Sequence, residues 1–214
     1  MTVRCRLSDF LSDPARMSAF IGRMQAGGVA ALPTDTLYGL AADGNSPAGV
    51  AGIYGLKGRD EGKPLILFLS DPARLPDLGI LPTPVQQRVL SRFWPGALTV
   101  VFQLSRPCPG LAAFGFPSLG VRVPAAPDLC RLLEAYPGFL LTTSCNRSGE
   151  PPLSDPSAIE AAFSPRLDWL LDGGSLPPSV PSTVLDVAVS PPVVRREGRV
   201  SRADLATTGI FDKG

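Results

Sequence analysis

Residues Val29 to Arg59 read VAALPTDTLYGLAADGNSPAGVAGIYGLKGR. The apolar run Val29 to Leu32 stops at Pro33, and three small hydrogen-bonding side chains follow, Thr34, Asp35 and Thr36, ahead of Tyr38-Gly39. Ser46-Pro47 then opens a helix that carries Val50, Ile53 and Tyr54 toward Leu56, so that Lys57 and Arg59 fall at or just past its C-terminus. A buried strand, a polar turn at its end and a cationic pair downstream predict an anion-binding crevice beyond the strand ends of an α/β sheet. The same letters also read as a turn that caps the next element and a solvated Lys-Gly-Arg loop. Lys57 and Arg59 are expected to be exposed and dispensable for folding, because Val50, Ile53 and Tyr54 already supply the apolar face of their helix.

Outward from this stretch, strands and helices alternate. Asp13 or Ser12 caps a helix with Pro14 in its first turn and the stripe Met17, Phe20, Ile21, Met24, ended by Gly27-Gly28. Downstream come a strand over Leu65 to Leu69, a helix opened by Thr83-Pro84 and broken at Trp94-Pro95-Gly96, and a strand over Leu98 to Leu104. Ser105 to Leu119 has no period and is rich in Pro, Gly and Phe, which predicts a long binding loop or lid. A strand over Val121 to Val123 carries Arg122 between apolar neighbours. A helix striped by Leu129, Leu132, Leu133 and Tyr136 leads to a strand over Phe139 to Leu141, with Thr142 to Asn146 placed at its end. The last third supplies a helix near Ser157 to Phe163 and strands over Trp169 to Leu171, Thr183 to Val187 and Val193 to Arg196. Between Gly173 and Ser182 a Gly/Pro/Ser stretch is expected to cross over the site. The alternation predicts an α/β sheet covered on its faces, in one domain spanning residues 1–214. Arg122 is read as aimed at an anion, since a lone buried charge is costly.

Composition narrows the chemistry. The chain has 214 residues, 44% of them hydrophobic and 18% charged, with a net charge of +1 and a pI near 7.6. That balance excludes a strongly basic nucleic-acid coat, and any positive patch must be made by folding. Four scattered cysteines without a C-x-x-C pair, and no leader or long apolar span, predict a reduced, cytoplasmic protein with no membrane partner. The absence of histidine removes Ser-His and Cys-His catalysis and imidazole metal sites, leaving carboxylate, lysine and arginine chemistry. Cys145, without a histidine to activate it, reads as a buried small residue. Gly62-Lys63 is followed by Pro64 and lacks the earlier glycine of a P-loop, and no G-x-G-x-x-G occurs, so a nucleotide site must be built differently.

The chain resembles the YrdC/TsaC family of threonylcarbamoyl-AMP synthases, in what reads as their short, single-domain form. The resemblance rests on Pro33 to Leu40; Leu56-Lys57-Gly58-Arg59 followed by Lys63-Pro64-Leu65; Trp94-Pro95-Gly96; Gly120 to Pro124; Thr143 to Gly149; Pro181-Ser182-Thr183; and Arg196-Glu197-Gly198. Each piece is weak alone, but their order and spacing are specific. The resemblance implies a YrdC-like fold, a twisted mixed sheet flanked by helices with a positive concave crevice. It also implies a nucleotidyltransferase that makes L-threonylcarbamoyladenylate and pyrophosphate from L-threonine, bicarbonate and ATP. Mg²⁺ would accompany the ATP, with ligands that the sequence does not identify. The adenylate would pass to a tRNA threonylcarbamoyl transferase complex, and the resemblance leaves room for a weak contact with tRNA.

By the same resemblance, Lys57 and Arg59 would be catalytic. They, with Lys63, Ser118, Ser144, Asn146 and Arg196, would hold ATP, while Thr34, Thr36, Arg122, Thr142 and Ser182 would hold L-threonine. The chain departs from the family pattern at Phe68 and Ala126, where relatives carry histidine, at Cys145 in place of alanine, and at Pro152 in place of serine. Phe68 leaves the nucleotide chemistry intact and bears on the identity of the amino acid. Two other readings stand beside this one: a non-catalytic module binding tRNA or double-stranded RNA through phosphates, and a carbamoyl-transfer module acting on another substrate.

Overall fold

The computed structural model describes residues 1–58, 64–105, 108, 110–111, 115 and 117–212. Ten strands form one mixed sheet in the order β1-β8-β2-β3-β7-β4-β6-β5-β9-β10. They are β1 (Val3–Arg6), β2 (Val29–Leu32), β3 (Gly39–Asp43), β4 (Ile66–Phe68), β5 (Leu98–Gln103), β6 (Ser118–Arg122), β7 (Leu140–Ser144), β8 (Trp169–Asp172), β9 (Thr183–Asp186) and β10 (Val193–Arg196). The helices are α1 (Leu7–Leu11), α2 (Pro14–Gln25), α3 (Pro47–Lys57), α4 (Pro84–Phe93), α5 (Pro127–Ala135), α6 (Pro156–Phe163) and α7 (Arg202–Ala206), with a 3₁₀ helix over Pro72–Leu78. Among the described residues no helix is long and apolar enough to cross a membrane.

The helix signals act as their chemistry requires. Pro14, Pro47, Pro84 and Pro156 each sit in the first turn, where the missing N–H costs no hydrogen bond, behind the side-chain caps Asp13, Ser46, Thr83 and Asp155. Gly58 closes α3 in the left-handed region at φ 60°, a conformation that a side chain disfavours.

Period-two alternation assigns the two faces of the sheet. On one face the aligned residues Val29, Ala42, Leu141, Leu67, Val121, Val100 and Leu185 are buried with Tyr38, Ile53, Leu56, Trp94 and Phe163. On the other face, Ala30, Leu32, Ala41, Leu140, Trp169 and Leu171 pack under Phe10, Phe20, Met24, Leu129, Leu132 and Tyr136 from α1, α2 and α5. This second layer covers β1-β8-β2-β3 and reaches Leu140 on β7 and Phe68 on β4. The β7-β4-β6-β5-β9 half of the same face is lined by Thr142, Ile66, Gly120, Val101 and neighbours, and it opens into a cavity.

Several boundaries differ from expectation. β3 was not foreseen: Gly39-Leu-Ala-Ala-Asp is short and poor in β-branched residues, and it becomes a strand because β2 and β7 pair with it on both sides. β6 begins at Ser118 rather than Val121, and β7 runs on through Thr142-Thr143-Ser144 rather than ending at Leu141. The extra residues that face the cavity, Ser118, Gly120, Thr142 and Ser144, are polar or lack a side chain.

Candidate active site

A cavity of about 400 Å³ lies against this open half of the sheet. Its residues come from alternating positions: Thr142 and Ser144 on β7, Ile66 and Phe68 on β4, Ser118, Gly120 and Arg122 on β6, Thr99 and Val101 on β5, Val184 on β9 and Arg196 on β10. The turn Thr34 to Gly39 and the pair Pro181-Ser182 close its sides. The site therefore lies on a face of the sheet, whereas the sequence pointed beyond the strand ends. A Cβ on Gly120 would stand 3.0 Å from Ile66 Cγ2 and 3.4 Å from Thr99 Cγ2, so the missing side chain keeps the cavity floor open.

Arg122 is the most strongly held side chain in the site. It is buried within β6, and its guanidinium donates through Nε to Gly96 O at 2.8 Å, through Nη1 to Thr36 Oγ1 at 2.9 Å and through Nη2 to Asp35 Oδ1 at 2.7 Å. The Trp94-Pro95-Gly96 break supplies that carbonyl, with Gly96 N donating to Val123 O at 2.8 Å. Burial pulls the Arg122 pKa below its ordinary value, and the charge and hydrogen bond of Asp35 oppose the shift. The sequence reading placed Asp35 in the turn but did not pair it with Arg122. The available signal was the charge in an apolar strand, which requires a partner.

Among the described residues of the cavity wall, one fully buried hydroxyl is left unengaged. Thr34 Oγ1 accepts from the N–H groups of Thr36 and Leu37 at 3.0 and 3.1 Å and donates to Leu37 O at 2.6 Å. It shapes its own turn. Ser182 Oγ meets Thr99 Oγ1 at 3.0 Å, and Arg196 Nη2 donates to Ser182 O at 2.9 Å. Thr142 Oγ1 is buried and has no hydrogen-bond partner among the described residues. A buried hydroxyl in a cavity wall without a protein partner is an open position for a ligand's polar group. Thr99, fully buried inside Leu98-Thr-Val-Val, was overlooked, although a lone hydroxyl in such a run is a signal of the same kind.

Lys57 departs from expectation. Its side chain is buried, at 3% exposure, and Nζ donates to Ser144 O at 2.6 Å, Asn146 O at 2.9 Å and Asn146 Oδ1 at 2.8 Å. Ser144 Oγ donates to the same Asn146 Oδ1 at 2.7 Å, and Ser148 N donates to Lys57 O at 2.8 Å. The turn after β7 folds back over the C-terminus of α3, which takes the ammonium out of solvent and uses it to organise that turn. Asn146 is likewise committed there, its Nδ2 donating to Arg147 O and Glu150 O. Arg59 and Lys63 lie outside the described residues. Ser118 and Ser144 line the cavity, as does Pro152. Burial pushes the neighbouring Cys145 thiol up to about 12, so it is an inert core residue. Ala126 packs at the edge of the layer under α5.

At the rim, Tyr38 ties the polar turn to the Gly/Pro/Ser stretch: its hydroxyl accepts from Gly173 N at 2.9 Å and donates to Gly174 O at 2.8 Å. Among the described residues no three acidic or cysteine side chains converge as a metal cage. A magnesium ion would suit this donor set only as a nucleotide complex, with phosphates and water as its main ligands.

Comparison with known proteins places these features in one lineage. Residues 23–198 match the Sua5/YciO/YrdC family model, described as "Telomere recombination". The threonylcarbamoyl-AMP synthase of Alkalilimnicola ehrlichii is 37% identical over 84% of this chain and 95% of its own length. That of Pyrococcus abyssi is 32% identical over 83% of this chain, which spans 52% of the longer archaeal protein. The crystal structure of P. abyssi Sua5 complexed with L-threonine superposes with a TM-score of 0.82 at 28% identity, covering 97% of this chain and 60% of that one. The chain belongs to the Sua5/YciO/YrdC family.

Proposed function

We propose that this protein is an L-threonylcarbamoyladenylate synthase and that its reaction takes place in the cavity over β4, β5, β6 and β7. The observation that carries the reading is the pairing, in one cavity of this family, of a buried guanidinium aimed by three oxygens with a buried hydroxyl left open. Arg122 offers its remaining N–H groups to the amino-acid carboxylate, Thr142 pairs with a polar group of the amino acid, and Thr36 and Ser182 flank them. Arg196 and Ser118, with Ser144 at the far wall, face the nucleotide. Arg59 and Lys63 are assigned to the phosphates on the family resemblance. Lys57 and Asn146 act by fixing the turn that presents Ser144.

The threonine amine and bicarbonate condense to a carbamate with loss of water. A carbamate oxygen attacks the α-phosphorus, the bond to the bridging oxygen breaks, and pyrophosphate leaves with that electron pair. Magnesium bound with ATP supplies charge neutralisation on the phosphates. The protein gathers two anions and holds cations where charge builds, work that requires no histidine. The product is a mixed anhydride, which a separate transferase would consume in modifying tRNA.

The test is pyrophosphate release from ATP in Mg²⁺, with threonine and bicarbonate each omitted in turn. Release is expected only with all components present. Release that ignores threonine, or none under any condition, overturns the reading.

A further inference from the structure

Among the described residues that line the cavity, the charged ones are Arg122 and Arg196, and none is acidic. They stand on β6 and β10, with β5 and β9 between, and the positive charge of Arg196 reaches Arg122 across the cavity. Their electrostatic surroundings differ. Asp35, 12% exposed, neutralises Arg122 at 2.7 Å. Arg196 donates only to neutral oxygens of Ser182, and no carboxylate pairs with it among the described residues. Among the described residues only the Arg122 end therefore carries a carboxylate of its own, set against the positive charges of Arg199 and Arg196 that also act on Arg122.

Asp35 is not required to aim Arg122, because Gly96 O and Thr36 Oγ1 already hold two corners of the guanidinium. What Asp35 alone adds is charge. Its backbone carbonyl is held by Arg199 Nη1 at 3.2 Å, which keeps the turn in place, while its Oδ2 takes no hydrogen bond among the described residues. We infer that Asp35 sorts the two substrates by charge, keeping the Arg122 end for a zwitterionic amino acid and leaving free oxyanions and the polyphosphate to the Arg196 end. The inference rests on the reading above and makes Asp35 a positioning residue for specificity.

The argument is one of repulsion placed against the wrong ligand. A buried guanidinium without a counter-ion takes sulfate or phosphate as readily as a carboxylate, since both fit its fork. With Asp35 alongside, a dianion meets an unfavourable charge, whereas an amino acid brings its own ammonium group to offset the same carboxylate. A cavity that must hold a polyphosphate and an amino acid in fixed order needs such a difference between its ends.

Sulfate is the probe, with wild type, Asp35→Asn and Asp35→Glu compared in the pyrophosphate-release assay. In the wild type, sulfate should compete with MgATP and not with threonine. In Asp35→Asn it should become competitive with threonine, with an inhibition constant lower by roughly tenfold or more, and Asp35→Glu should restore the wild-type pattern. A merely structural counter-ion would alter stability and leave the pattern of competition unchanged. An Asp35→Asn protein that keeps the wild-type pattern overturns the inference. So does a wild type in which sulfate already competes with threonine, a result that stands even if the variant does not fold. Calorimetry with sulfate alone reads the same contrast without turnover: Asp35→Asn should gain a second site that Arg122→Gln removes, and gaining none overturns the inference. Failure of the proposed reaction and failure of charge sorting are thus told apart.

Discussion

Removing the Lys57 side chain takes its ammonium from Ser144 O, Asn146 O and Asn146 Oδ1; Ser144 O keeps the Asn146 N–H and Asn146 Oδ1 keeps the Ser144 hydroxyl, while Asn146 O loses its donor. Lys57→Ala is expected to cost about 3 kcal/mol in denaturant unfolding, through the lost charged hydrogen bonds, the unsatisfied acceptor and lost packing of the stem. Lys57→Met, which keeps the stem, should cost less. A near-wild-type midpoint for Lys57→Ala would contradict the buried contacts. Any fall in turnover in these variants has to be separated from the loss of fold. Tyr38 carries a different signature. Burial raises its phenol to about 12, against a weaker lowering by the Gly173 N–H, so folding favours the neutral form. The stability this contributes is whole below the ordinary value near 10 and is lost as pH rises through about 12. Cys145, raised to about 12 from 9.0, loses its contribution over the wider window above pH 9 with the same sign. Unfolding midpoints should fall from about pH 9 to 12, and Tyr38→Phe should flatten the upper part of that fall. A midpoint independent of alkaline pH would refute both assignments.

At the scale of elements, β6 has two neighbours and two different faces. Leu119 and Val121 enter the main core, whereas Ser118, Gly120 and Arg122 face the cavity. A strand with one wall against a ligand space can accept a larger residue on that wall at the expense of the space. Gly120→Val should keep the protein folded, with stability changed by no more than about 2 kcal/mol, while threonine and nucleotide affinity fall by at least roughly tenfold. Calorimetric binding beside a melting curve checks this, and wild-type affinity in a folded Gly120→Val protein would mean that ligands do not use the cavity floor. The legibility of the elements follows the same division. α2 and β2 were readable to within a residue because cap, proline, apolar stripe and glycine all agreed locally. β6 and β7 were read short because Ser118, Gly120, Thr142 and Ser144 serve the cavity and break the apolar pattern.

For the whole molecule, the two packed layers share one sheet. Trp94 lies in the layer with α3 and α4, and Trp169 in the layer with α1, α2 and α5. Neither layer can open without exposing the other side of the same strands, so both should unfold in one cooperative transition despite a length of 214 residues. Trp94→Phe and Trp169→Phe, each leaving one reporter, should give fluorescence midpoints that coincide with each other and with circular dichroism once each variant's own stability is accounted for. Two separated transitions within one variant would show that the layers are independent.

The sequence by itself did not foresee α1, α7 or the 3₁₀ helix. It determined the alternation of strands and helices, the starts of the helices opened by Pro14, Pro47 and Pro84, the exclusion of histidine chemistry and, through the order of its short motifs, the family. Those properties are local or combinatorial: caps, prolines, periods and motif spacing are written along the chain. Only the tertiary structure decided that Gly39 to Asp43 is a strand, that Asp35 is the partner of Arg122 across 87 positions, that Lys57 is buried and that Thr142 presents a buried, unpartnered hydroxyl in the cavity wall. Each of these depends on which residues from distant strands meet across one sheet face. Hydrogen-bond pairing and the exclusion of water set that meeting, and neither has a counterpart in the spacing of residues along the chain.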